Sequence, residues 1–331
     1  MGGGSWSGDT FSRAIKGDDA FAVSRDTLAR PVDEWKPAKM LDPSGLKVRE
    51  SRDSEEHPTA NAIMVGLDIT GSMKPVVVAV RDALGRLMEM LLGGAYIPDP
   101  QLLFYAIGDA TCDRIPVQIS QFESDNRIAE QLRQVVIEGG GGGQNTESYE
   151  LGFYVAARHT SIDCLEKRGI RGYLFSIGDE MPYPEVDTNE VRNIFGAALQ
   201  DNTTVEAVVQ EAQAKYHIFH IIPRGSANFS NQSVRSRWVK LLGGSQFVLM
   251  LDDPTLVAET IAVAIGLNEK RLTLDAGLRI VADKVNQKAA TVVGKALMEF
   301  AEYIGSQPDS ASPKPSSGDP DNPKKPNSWK L

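Results

Sequence analysis

Apolar residues along this chain fall into two kinds of run. "NAIMVGLD", "QLLFYAIGD", "IRGYLFSIGD", "YHIFHIIP" and "SQFVLML" are short, nearly uninterrupted and rich in β-branched and aromatic residues. That is the pattern of strands buried on both faces of a sheet. Between them lie longer stretches with helical spacing. "KPVVVAVRDALGRLMEMLLGG" carries Pro75 in its first turn and glycines at its end. Further helices are predicted over "DNRIAEQLRQVVIE", over "TESYELGFYVAARH" with Thr146 opening it, and near 187–214, 229–242 and 254–268. "IPVQISQF" follows its predecessor after a loop too short for a parallel crossover, so it should pair antiparallel as an edge strand. The alternation predicts an α/β fold: a doubly wound, mostly parallel six-stranded sheet with one antiparallel edge strand.

The flanks differ in texture. Residues 1–58 are rich in Gly, Ser, Asp, Pro and Arg without sustained periodicity, and read as an irregular arm with one short strand at "LKVRES". Residues 59–268 form the α/β domain. Residues 269–305 space Leu278, Val281, Val285, Val292, Val293, Ala296, Leu297 and Phe300 as on a helix, a C-terminal helical extension expected to pack on the domain's own surface. Residues 306–331, rich in Pro, Ser, Asp and Lys, read as a disordered tail.

With 331 residues and 41% hydrophobic content the chain can bury a full core. Its net charge of −9 argues against nucleic acid or an anionic membrane as partner, since both call for a basic surface. Cys112 and Cys164 sit in unrelated contexts and imply neither a disulfide framework nor a nucleophile. With no basic-then-apolar leader and no run of eighteen apolar residues, a cytoplasmic location is expected.

The candidate chemistry begins where the first strand ends. "GLDITGSM" places Asp68, Thr70 and Ser72 at alternate positions. A capped strand-to-helix turn would account for them alone. Asp179, however, ends the strand expected beside the first, and Thr146 follows the glycine run "GGGGGQN". Carboxyl ends of parallel strands converge where the strand order switches, so two carboxylates and three hydroxyls meet at one sheet edge. An all-oxygen set with little negative charge suits a hard divalent cation, magnesium before manganese or calcium. Such an ion remains electrophilic enough to accept an outside carboxylate.

This set resembles the metal-ion-dependent adhesion site of von Willebrand factor type A domains. The likeness covers about residues 60–268, with Thr70 in place of the family's usual first serine and Gln144 and Asn145 interposed before Thr146. Gln144 or Asn145 therefore stands as an alternative to Thr146, acting behind the ligands. "FESD", "EKRG" and the glycine-loop segment resemble intracellular bacterial members of that family. The resemblance implies a non-enzymatic adhesion or scaffold module with magnesium held by Asp68, Thr70, Ser72, Thr146 and Asp179. A protein partner's Asp or Glu would complete the coordination, and the last helix could move on binding. It also implies company such as an AAA+ ATPase or a stress or conflict-system component.

The rival is a magnesium-dependent aspartyl-phosphate phosphatase or phosphotransferase of the haloacid dehalogenase type, with Asp68 as nucleophile. Ile69 stands where that class carries a lysine, and Thr146 has no role in it. A phosphate cradle at the pentaglycine is disfavoured because no Gly-Lys-Ser/Thr follows. His217 and His220, three apart on a strand, face opposite sides and cannot share an ion, so they read as hydrogen-bonded core histidines.

Overall fold

The structure, a computed structural model, describes residues 22–93 and 96–307. Six strands make the main sheet: β1 (Asn61–Asp68), β2 (Pro100–Ile107), β3 (Val117–Ile119), β4 (Gly172–Ile177), β5 (Tyr216–Pro223) and β6 (Val248–Leu251). Their order is β3-β2-β1-β4-β5-β6. All neighbours run parallel except β3, which pairs antiparallel with β2 from Tyr105↔Ile119 to Ile107↔Val117. The sheet is thus a mixed, Rossmann-like one whose antiparallel edge strand spans three residues, against the eight of "IPVQISQF".

Alternation within β1 explains the double winding. Ile63, Val65 and Leu67 face one apolar cluster, and Ala62 and Met64 the other. Eleven helices flank the sheet among the described residues, in chain order α1 (Ala22–Leu28), α2 (Val77–Gly93), α3 (Arg127–Arg133), α4 (Tyr149–Arg158), α5 (Asp163–Arg168) and α6 (Thr188–Phe195). They continue as α7 (Val205–Gln213), α8 (Gln232–Leu242), α9 (Val257–Asn268), α10 (Leu274–Lys284) and α11 (Gln287–Ser306). Helices α2, α9 and α11 cover the first face, and α4, α7 and α8 the second. α9 is buried from Val257 to Leu267, so its apolar residues wrap the whole helix instead of forming a stripe.

Several expectations are refined. The stretch 187–214 is two helices. Asp187 caps α6 by accepting from the backbone N–H groups of Asn189 and Glu190, and Gly196, at φ 65°, ends it. The region 269–305 is likewise two helices, and Asn286 caps the second. Here α11 is part of the core: Val293, Leu297 and Phe300 are buried, with Phe300 edge-on to Phe219 of β5 at 4.9 Å. α3 covers only seven of the fourteen residues predicted helical.

Thr146 does not open a helix: Thr146–Glu147 pairs in parallel with Met181–Pro182, and α4 starts at Tyr149. The arm is tied down over part of its length. Arg49–Ser51 pairs with Thr160–Ile162, and Arg52 bonds Asp163 at 2.8 Å. The expected tail falls almost entirely outside the described residues, as does the start of the arm. No helix among the described residues is long and apolar enough to cross a membrane.

Candidate metal centre

β1 has β2 on one side and β4 on the other, so the crossovers after β1 and β4 leave in opposite senses and open a crevice at their carboxyl ends. Asp68 closes β1, and Asp179 follows β4 by two residues. Gly178 between them has no room for a side chain, since a Cβ there would lie 2.8 Å from Asp68 Cβ and overlap the Tyr149 hydroxyl.

After Asp68 the chain folds back in an Asx turn. Thr70 donates its backbone N–H (2.8 Å) and its hydroxyl (2.6 Å) to Asp68 Oδ1, and the Tyr149 hydroxyl donates to Oδ2 at 2.5 Å. A short 3₁₀ turn, Gly71–Met73, brings Ser72 Oγ within 3.2 Å of Thr70 Oγ1 and 2.7 Å of Asp179 Oδ1. The Asn228 N–H, from the loop after β5, holds Asp179 Oδ2 at 2.6 Å. Asp68, Thr70 and Asp179 are almost completely buried, and Ser72 is half-buried. Four of the five predicted residues therefore meet.

The fifth, Thr146, comes from the neighbouring glycine loop. In the two-residue strand Thr146–Glu147 successive side chains alternate, and it is Thr146 that sits beside the Tyr183 phenol. No hydrogen bond among the described residues links Thr146 to the other four. Gln144 donates its side-chain amide to Tyr183 Oη at 2.6 Å and to Asp109 Oδ2 at 3.3 Å. Glu147 takes the inward direction. The sequence reading passed over it, and it passed over Glu180 as well.

Ligand oxygens of Asp68, Asp179 and Glu180 all lie within 4.8 Å of one another. Glu180 Oε2 is 3.2 Å from Ser72 Oγ. Glu147 lies beneath the glycine loop, where a Cβ on Gly141 would come within 2.6 Å of its Oε1. Gly141 itself sits at φ 111°, a conformation that favours glycine. The loop is pinned by Gly71 N–H to Gly140 O at 2.7 Å and by Gly142 N–H to Asp109.

The electrostatics are one-sided. Burial, with a smaller push from Asp179, lifts Asp68 to about 7 against the opposing bonds from Thr70 and Tyr149. Burial, then the neighbouring Glu180 and Asp68, lifts Glu147 to about 11, and burial also raises Glu180. No lysine or arginine figures among the main groups acting on these three. Glu147 Oε2 is buried with no hydrogen-bond partner. Asp109, at the end of β2, gives the contrast. It repeats the Asp-x-Thr turn with Thr111, and although burial alone would raise it, donors from Thr111 and Tyr183 hold it below its ordinary value. That carboxylate is satisfied by neutral donors. So are both oxygens of Asp68 and both of Asp179; the cluster differs in Glu147 Oε2, a buried oxygen that no N–H or O–H donor reaches, and such an acceptor among oxygen ligands fits a hard cation.

The histidines require one correction. His217 stacks on Tyr173 and His220 on Trp238, on opposite faces as expected. Yet neither ring nitrogen of His220 has a hydrogen-bond partner. The Gly178 backbone favours its protonated ring slightly without meeting hydrogen-bond geometry, and burial holds it neutral, down at about 3. The Cys112 thiol is pushed up to about 12 by burial and by Asp109, and burial raises Cys164 too, so neither is primed as a nucleophile.

No family model and no curated protein matches this sequence. Among solved structures, similarity is found to the pilus adhesin SpaC from Lactobacillus rhamnosus GG in its open conformation, at 9% identity and a TM-score of 0.46 over 67% of this chain and 31% of that one. Proximal thread matrix protein 1 from the mussel byssus is similar at 11% identity and a TM-score of 0.40, over 62% of this chain and 47% of that one. The match thus spans less than half the length of either protein.

Proposed function

We propose that this chain is a non-enzymatic, divalent-cation-dependent protein-binding module of the adhesion or scaffold kind. Asp68, Thr70, Ser72 and Asp179, directly or through water, would hold magnesium, with manganese or calcium as substitutes. A bound divalent cation supplies a Lewis acid to which a partner protein's Asp or Glu can add. The protein's own part is preorganisation. Tyr149 and Thr70 fix the Asp68 carboxylate, Asn228 fixes Asp179, and Ser72 bridges the two strand-end loops.

One observation carries the reading: buried carboxylates from two strand ends, linked by hydroxyls, with burial the chief influence on Asp68 and Glu180 and no lysine or arginine of the described residues among the main groups acting on those two. Isolated buried carboxylates are costly unless protonated or paired with positive charge. The phosphotransfer alternative is less favoured. Ile69 stands where that class carries a lysine, and the glycine loop with Thr146 has no part in such a reaction.

The test is an affinity capture from lysate with and without chelator, alongside Asp68→Ala. Partners lost in both arms support the proposal. Partners and magnesium affinity unchanged in Asp68→Ala reject it.

A further inference from the structure

Glu180 is more than a bystander next to Asp179. Its ligand oxygen falls, with those of Asp68 and Asp179, in a set spanning at most 4.8 Å, the width that oxygens arranged about 2.0–2.6 Å around one hard cation would occupy. Ser72 Oγ reaches both Asp179 and Glu180. The backbone beneath is fixed, since Trp238 Nε1 donates to Glu180 O at 2.8 Å. An independent feature points to the same place. Glu147, whose buried Oε2 no N–H or O–H donor reaches, pairs its carboxyl with that of Glu180, a contact that needs a shared proton or a nearby cation, and Asp68 is its next carboxylate neighbour. Two buried carboxyls facing each other without a basic group lie where a cation's field would reach them.

Counting charges changes the picture of partner binding. Asp68, Asp179 and Glu180 already bring three negative charges to an ion carrying two positive ones. A partner's carboxylate would be the fourth, and like charges a few ångströms apart repel strongly in a site screened from water. Resting on the cation reading above, we infer that Glu180 is an internal carboxylate occupying the coordination position of the partner's acid, so that a partner docks by displacing it. The site is then self-capped. It rejects free carboxylates in solution and admits one only from a partner whose other contacts offset the removal of Glu180.

The experiment uses the full chain stripped with chelator and reloaded with Mn2+, whose inner-sphere waters are counted by oxygen-17 relaxation while acetate is titrated in. Glu180→Ala should gain one exchangeable water. Glu180→Gln, which keeps the shape and loses the charge, should bind acetate more tightly by roughly tenfold or more. Either variant reads the effect should the other fail to fold. Unchanged water count and acetate affinity overturn the inference. So does loss of Mn2+ from folded variants, which would make Glu180 an obligatory ligand. Failure of the underlying cation reading looks different: the wild-type chain then takes up no more Mn2+ than Asp68→Ala.

Discussion

Without a cation, this protein should become less stable as pH rises across the neutral range, the reverse of ordinary acid denaturation. Asp68 stands at about 7 in the fold, against an ordinary value of 3.8. Between these values the folded state binds the proton and the unfolded chain does not. Stability from this group is therefore complete below about pH 4 and is lost progressively as pH climbs through 7. The rise from 3.8 to about 7 is worth about 4 kcal/mol. At about 2 °C per kcal/mol for a chain of this size, Tm should fall by about 8 °C between pH 4 and pH 8. Glu180 shifts in the same direction and adds to the trend.

A bound cation inverts the dependence, because its ligands must be deprotonated and binding to the folded state alone adds stability. The assay is differential scanning calorimetry at pH 5, 6, 7 and 8, with chelator or with magnesium. The magnesium-induced rise in Tm should grow with pH, and Asp68→Asn should make the chelator series shallower, with Glu147 and Glu180 supplying the slope that remains. A chelator series that is level or rising in the wild type, or identical in Asp68→Asn, refutes the electrostatic reasoning.

Other outcomes follow from the same geometry. Gly141→Ala forces a Cβ to within 2.6 Å of Glu147 Oε1 at φ 111°, and should cost about 1–3 kcal/mol by urea unfolding while weakening cation affinity. Phe300→Ala empties a fully buried site between α11 and β5 and should cost about 3–5 kcal/mol in the same assay, with cation affinity retained. Asp163 is held at about 2: burial works against it, but Lys167, Arg52 and the Asp53 backbone prevail. Its contribution of about 1–2 kcal/mol, reduced because Lys167 is exposed, is present above pH 4 and lost as pH falls toward 2. Asp163→Asn should remove that acid limb from the urea series.

What the sequence disclosed and withheld follows from the physics of each element. β1, β4 and β5 were legible because strands buried on both faces read as unbroken apolar runs bounded by Asp or Pro. Asp68, Thr70, Ser72 and Asp179 were legible because strand ends in such sheets converge. The helix start at Thr146 was misjudged because "TESYEL" carries helix formers, and nothing local announces a two-residue strand, Thr146–Glu147, paired with Met181–Pro182. Glu180 was missed for a related reason: its role comes from Ser72, more than a hundred residues away in sequence. The signal available was "GDE" itself, an acid following an acid at a buried strand end. The split of 187–214 was readable in Gly196 after an amphipathic turn, a left-handed helix stop.

The central claim is that the Asp68 cluster binds a divalent cation, and calorimetric titration of magnesium into the chelator-treated chain tests it most directly. The account predicts saturable binding of one ion per chain at pH 7.5, abolished in Asp68→Ala and weakened at pH 5.5. Absence of binding by the wild type, or equal binding by Asp68→Ala, would contradict it.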